Sequence, residues 1–424
     1  MRCSCGNDNP ERTAQCVHCG RPLTHALAWR RLAFDVVVGA GLVLAVGSVW
    51  WIERNSARAP ANPVRTSVLE RPAFRTDETF SPRTAGPLRL AVTPPEYDDM
   101  GRLLATLGPG YQFTEIPISA LLNPQRLASF DVVFVTCGGV PESWLGPRVA
   151  AAERGSVGAF RARRDITDQL YATLRGFVAR GGTLYASDWQ IQLLEIAFPE
   201  FLDPSKRAKG AIQTVHAEVV DAGLARRLGP TVELRFDKTA WYPAAFRDRD
   251  VVTYLRGTFS TLDGQRITSP LLVKFPFHNG HVVFTSFHNE AQNTQTELEL
   301  LRYLVFTAVT AREEAKVRQV MVRGGFSPKE RNLLSVSPQS QPVVQEYECR
   351  RRGPLQFALG FEEQGARLKL TVTDPNGTEH TETGTKTFCI DIADAPVGTW
   401  HCTITPLEIP YPNFPFTLTI GEKP

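Results

Sequence analysis

Asp188, His288 and Glu290 are the side chains of this 424-residue chain whose types and setting could do chemistry. The segment Leu184-Tyr185-Ala186-Ser187-Asp188-Trp189-Gln190-Ile191-Gln192-Leu193-Leu194 reads as an apolar strand, a sharp elbow and a helix, with Asp188 at the elbow. A second apolar run, Val282-Val283-Phe284-Thr285, leads into Ser286-Phe287-His288-Asn289-Glu290. An elbow carboxylate beside a histidine can form an ester with an alkyl carbon, which water activated by the imidazole then hydrolyses. The simpler account is that Asp188 caps the following helix, accepting backbone N–H groups at the positive end of its dipole. Asp98 and Asp99 near an early strand end could line the same cleft, but a solvated acidic turn is the preferred account. Cys137 reads as a small buried apolar residue. His278 and His281 flank the turn dipeptide Asn279-Gly280, so a hairpin explains them better than a metal pair does.

A second kind of chemistry stands at the N-terminus. Cys3-Ser4-Cys5-Gly6 and Cys16-Val17-His18-Cys19-Gly20 supply two thiolate pairs across a short loop. Four soft donors, Cys3, Cys5, Cys16 and Cys19, suit tetrahedral Zn²⁺, and so short a segment has no apolar core to hold it without metal. With four thiolates in place the zinc is expected to be structural. The tight Cys3-Cys5 spacing leaves the role of Cys3, and of His18 beside the second pair, open.

The elements that must position these residues follow from the apolar pattern. Leu88 to Val92, Asp131 to Val135, Gly182 to Ala186 and Gly280 to Thr285 are short apolar strands, and Asp168 to Ala179 and Thr296 to Thr310 are helical candidates. Such alternation indicates a parallel sheet covered on both faces, over residues 88–312. Residues 210–275 hold further strand-like runs whose order is not readable. A charged helix and a polar linker occupy 313–342. From 343 to 424 strands and turns alternate, with Asp374-Pro375-Asn376-Gly377 among the turns, which suggests a small β-sandwich. Cys349, Cys389 and Cys402 lie in it, an odd number that allows at most one internal disulfide.

Ahead of the sheet, Val36 to Ile52 is uncharged and long enough to cross a bilayer, with Trp50 and Trp51 at an interface, so residues 33–52 are expected to form one transmembrane helix. A cleaved signal peptide is the competing reading, but a cysteine module precedes the run and no small-residue cleavage site follows it. Residues 53–87 are a Pro-rich linker and residues 1–23 the zinc module. Reduced cysteines at the N-terminus and a possible disulfide in the C-terminal part place the N-terminus in the cytoplasm and the bulk of the chain outside. A net charge of +3, with scattered arginines, gives no support for nucleic-acid binding.

Three stretches resemble the class I glutamine amidotransferase-like fold. Phe130 to Gly139 looks like the strand and Gly-Gly turn that supplies oxyanion-hole backbone, the elbow follows, and Val282 to Glu290 looks like the strand end with the family's His-x-Glu pair. The resemblance implies a flavodoxin-like α/β domain, with Asp188 where the family has its nucleophilic cysteine, His288 as base and Glu290 as the acid that orients it. Since a carboxylate is a poor nucleophile toward amides, glutaminase activity is not expected. The Cys-Gly-x-x-Asn-Pro and Cys-x-x-Cys-Gly pieces resemble prokaryotic zinc ribbons, and residues 343–424 loosely resemble pre-peptidase C-terminal β-sandwich modules. The expected fold is therefore multidomain: a small zinc ribbon, one transmembrane helix, an α/β parallel-sheet amidotransferase-like domain and a C-terminal all-β sandwich. The expected function is that of a membrane-anchored, non-catalytic binding or scaffold protein with a protein partner. The alternative is a membrane-tethered hydrolase using Asp188 with His288 and Glu290.

Overall fold

The computed structural model describes residues 88–138, 140, 141, 144, 157–361 and 365–424. Nine strands come first: β1 (Leu90–Val92), β2 (Phe113–Glu115), β3 (Val132–Val135), β4 (Thr183–Ser187), β5 (Gln213–Val219), β6 (Thr231–Phe236), β7 (Val252–Ser260), β8 (Arg266–Phe277) and β9 (Gly280–Thr285). They form one sheet in the order β2-β1-β3-β4-β9-β8-β7-β5-β6. β2, β1, β3, β4 and β9 run parallel, and β8, β7, β5 and β6 continue the sheet antiparallel. Residues 210–275 thus extend the sheet as an antiparallel wing.

Burial explains the two halves. Every residue of β1, β3, β4 and β9 is buried, as a strand covered on both faces requires. β6 alternates exposed and buried residues, and β5 does nearly the same, because one face of the wing meets solvent. The helices are α1 (Met100–Leu107), α2 (Pro124–Ala128), α3 (Val157–Ala179), α4 (Ile191–Ala197), α5 (Ala222–Leu228) and α6 (Gln295–Arg323). On one face of the sheet Leu90, Phe134, Tyr185 and Val283 pack with Leu104 of α1 and Leu300 and Leu304 of α6. On the other, Ala91, Val133, Leu184 and Phe284 pack with Leu170 and Leu174 of α3 and Leu193 of α4.

α6 begins in a reciprocal cap: Thr294 Oγ1 accepts from Glu297 N (3.3 Å), and Glu297 Oε2 accepts from Thr294 N (2.6 Å). The helix runs on through residue 312, where the sequence reading closed the α/β domain. Val317 and Met321 in its second half pack with Phe326 and Ala358. The remaining strands are β10 (Ser327–Val336), β11 (Val343–Cys349), β12 (Gly353–Gly360), β13 (Arg367–Thr373), β14 (Glu379–Gly384), β15 (Phe388–Ala395), β16 (Gly398–Glu408) and β17 (Phe414–Glu422). They pair as two four-stranded antiparallel sheets, β10-β17-β12-β15 and β11-β16-β13-β14, over a core that includes Phe357, Trp400 and Phe416. β10 lies in the stretch read from sequence as helix and linker. Cys349, Cys389 and Cys402 carry free thiols, so none of them forms the disulfide that their number allowed.

A charged seam joins sheet and sandwich. Glu314 Oε2 on α6 accepts from Lys274 Nζ of β8 (2.7 Å) and from Arg331 Nη1 of β10 (2.7 Å). Arg331 Nη2 also donates to the hydroxyls of Tyr303 (2.9 Å) and Tyr254 (3.1 Å).

The expected architecture is corrected on one count. It included a transmembrane helix, and among the described residues no helix is long and apolar enough to cross a membrane. The two long helices are too polar for that: α3 carries Asp165, Asp168 and Arg175, and α6 carries Arg302, Arg312, Glu313, Glu314 and Lys316. The zinc ribbon read at 1–23 with Cys3, Cys5, Cys16 and Cys19, the span read at 33–52 and the linker read at 53–87 lie outside the described residues.

Candidate functional site

The site forms where β1, β3, β4 and β9 end. Ligand crevices of open α/β sheets lie at carboxyl ends of strands, where the strand order reverses, here between β1 and β3. Asp98 follows β1, Cys137 follows β3, Asp188 follows β4 and His288 follows β9.

Asp188 takes a left-handed backbone conformation, φ +46°, which Asp tolerates better than most residues. This geometry turns the chain sharply from β4 toward α4 and aims the carboxylate into the protein. The carboxylate does not cap its own helix. Its Oδ1 accepts the backbone N–H of Tyr242 (2.7 Å), and its Oδ2 accepts from His288 Nε2 (3.1 Å) and from the Cys137 thiol (3.6 Å). Asp188, Cys137 and His288 are 1 %, 1 % and 5 % exposed.

His288 is fixed from three sides. Its Nδ1 meets Asp237 Oδ1 at 3.2 Å, its Nε2 meets Asp188, and its backbone carbonyl accepts from Gln292 Nε2 (3.0 Å). Ionised carboxylates only accept, so an imidazole held between two of them carries a proton on each nitrogen. Burial alone would discharge it, but the hydrogen bonds to Asp188 and Cys137 outweigh burial and raise His288 to about 11. Burial also pushes the Cys137 thiol up, against the pull of the neighbouring His288.

Glu290 is not the acid that orients His288. Its side chain is 46 % exposed and meets Arg102 Nη1 at 3.5 Å, while both ring nitrogens of His288 are taken by Asp188 and Asp237. The orienting carboxylate is Asp237, just beyond β6 in the antiparallel wing, a residue that sequence reasoning missed. Tyr242 and Gln292 were missed too. The one signal was Gln292, four residues beyond His288, within reach of its carbonyl.

Asp98 is no solvated turn. It is 1 % exposed, and its Oδ1 accepts from the backbone N–H groups of Asn289 (2.9 Å), Asp99 (3.0 Å) and Glu290 (3.3 Å). Its Oδ2 has no hydrogen-bond partner among the described residues. Asp99 instead caps α1, accepting from Arg102 N (2.9 Å). Burial raises the Asp98 carboxyl to about 6, against the pull of His288 and the three N–H groups. A folded-state value above the ordinary 3.8 favours the fold fully below pH of about 4, and that contribution fades as pH rises through about 6. We expect the chain to lose about 3 kcal/mol between pH about 4 and about 7 from this group, and the Asp98→Asn variant not to show that loss. Urea unfolding across that range checks it.

The arrangement can hold charge and can hold metal. The donor atoms of Cys137, Asp188 and His288 all lie within 4.8 Å of one another. His278 and His281 flank the β8–β9 hairpin turn away from these donors, and burial drives His281 down to about 3.

No family model and no curated protein matches the chain. Among solved structures it is similar to a candidate GMP synthase subunit from Thermoplasma acidophilum, at 12 % identity and TM-score 0.34, over 55 % of this chain and 100 % of that one. A cytoplasmic protein of Salmonella typhimurium matches at 14 % identity and TM-score 0.28, over 51 % and 98 %. A β-galactosidase of Bacillus circulans matches at 10 % identity and TM-score 0.28, over 75 % and 41 %. Likeness at this level carries no argument about activity.

Proposed function

We propose that this chain is a binding or scaffold protein with an amidotransferase-like α/β domain that does not catalyse, and that its partner is a protein. The observation that carries the reading is His288 between Asp188 and Asp237. A general base must offer a free lone pair near neutral pH, and an imidazole raised to about 11 between two carboxylates offers none. Asp188 has both oxygens engaged, and Cys137 stays a thiol, so neither presents an activated nucleophile.

Surface for binding lies at the opposite ends of β4 and β9. There a cleft of about 1090 Å³ runs between sheet and sandwich, lined by Arg312, Lys316, Arg318 and Arg323, with Lys274 and Arg331 at its floor held by Glu314. The excess of cations suits an acidic protein surface. Hydrolysis by the full-length chain is the test, across ester, amide, glycoside and haloalkyl substrates. We expect no turnover above that of Asp188→Asn and His288→Ala; turnover lost in both variants would make the chain a hydrolase with Asp188 at its centre.

A further inference from the structure

Three strand ends of the sheet each deliver one metal-type donor to the same point. Cys137 brings a sulfur from the turn after β3, Asp188 an oxygen from the elbow after β4, and His288 a nitrogen from beyond β9. We propose that these three side chains bind one Zn²⁺ ion, with Asp237 as the outer carboxylate that orients His288.

The separations fit. With Zn–S of about 2.3 Å and Zn–N and Zn–O of about 2.1 Å, tetrahedral coordination puts sulfur and oxygen about 3.6 Å apart, and nitrogen and oxygen about 3.4 Å apart. Here Cys137 Sγ stands 3.6 Å from Asp188 Oδ2, and His288 Nε2 stands 3.1 Å from the same oxygen. These two separations lie within a few tenths of an ångström of the tetrahedral values, and the third pair, Cys137 Sγ and His288 Nε2, lies within 4.8 Å.

The surroundings fit as well. Histidine ligands almost always give their second ring nitrogen to a carboxylate or carbonyl, and Asp237 holds that position at 3.2 Å from Nδ1. Carboxylate ligands are themselves hydrogen-bonded, and Asp188 Oδ1 accepts from Tyr242 N at 2.7 Å. The donor set selects the element: a thiolate and an imidazole beside one carboxylate suit zinc, whereas magnesium and calcium take oxygens alone.

With the ion bound, His288 gives its Nε2 lone pair to zinc and still offers none to a substrate, so the binding reading and the ion are tested apart. Turnover would overturn that reading and leave the ion, and a metal-free site would overturn the ion and leave that reading.

The experiment uses the full-length chain with Cys3, Cys5, Cys16 and Cys19 changed to Ser, so that no N-terminal thiol contributes metal. We expect elemental mass spectrometry to find one zinc per chain, and Cys137→Ser to abolish it. After exchange for Co²⁺, the chain should show a thiolate-to-cobalt charge-transfer band that Cys137→Ser removes. Asp237→Asn, an exposed change outside the core, should weaken zinc in a chelator competition by about 10–100-fold. A folded chain whose zinc content is the same with and without Cys137, or whose cobalt form lacks the charge-transfer band, overturns the proposal.

Discussion

Replacing His288 with Ala in the metal-free protein is expected to cost about 3–5 kcal/mol of stability at neutral pH, seen as a lower urea midpoint. The imidazolium is the charge partner of Asp188, and Asp188 is 1 % exposed. Without it the carboxylate keeps only the Tyr242 N–H and the Cys137 thiol, and a carboxylate stranded in a low-dielectric interior is among the largest single penalties a substitution can impose. Asp237→Asn is the internal comparison. Asp237 touches the same ring from a side chain that is 45 % exposed, where solvent screens the pair, so its loss should cost only about 0–1 kcal/mol. Equal effects for the two variants would contradict the picture of Asp188 and His288 as the buried pair.

Glu314→Ala is the second substitution with a large expected effect, again about 3–5 kcal/mol. Glu314 is shared by Lys274 and Arg331, and Lys274 is 5 % exposed, so the truncation leaves a buried ammonium without its anion. Burial by itself would raise the Glu314 carboxyl, but Lys274 and Arg331 outweigh it and hold the group down to about 2. A folded-state value below the ordinary 4.5 stabilises fully above that value and is lost as pH falls through about 2. Glu314→Ala should therefore remove a part of the acid unfolding below pH of about 4.5 as well as lower the midpoint at neutrality. Replacing Glu314 and Lys274 together by apolar residues should recover only the part of the loss that Lys274 causes, since Arg331 then keeps only Asp221 at 3.8 Å and the two tyrosine hydroxyls.

What the sequence discloses follows from burial. β1, β3, β4 and β9 show themselves as apolar runs because neighbours cover them on both faces, and the residues at their ends can be picked out without knowing which strand lies beside which. The wing hides its place: β5 and β6 alternate, a pattern that fits any half-covered strand, so nothing local says that they extend the sheet through β7. Asp237 is invisible for this reason, since only that pairing brings it to a histidine 51 residues away. Glu290 misleads because residues two apart share a face only while the chain is extended, and β9 stops at Thr285, ahead of His288. Arg331 and Glu314 are ordinary charges in sequence, and their meeting depends on α6 passing residue 312 instead of ending there.

That helix has a mechanical meaning. Its 29 residues make a rod of about 43 Å, with a capped first turn close behind His288 and a far half seated against the strands of the sandwich. Arg331 and Glu314 pin it midway. One continuous helix therefore fixes the distance between the sandwich and the turn that follows His288.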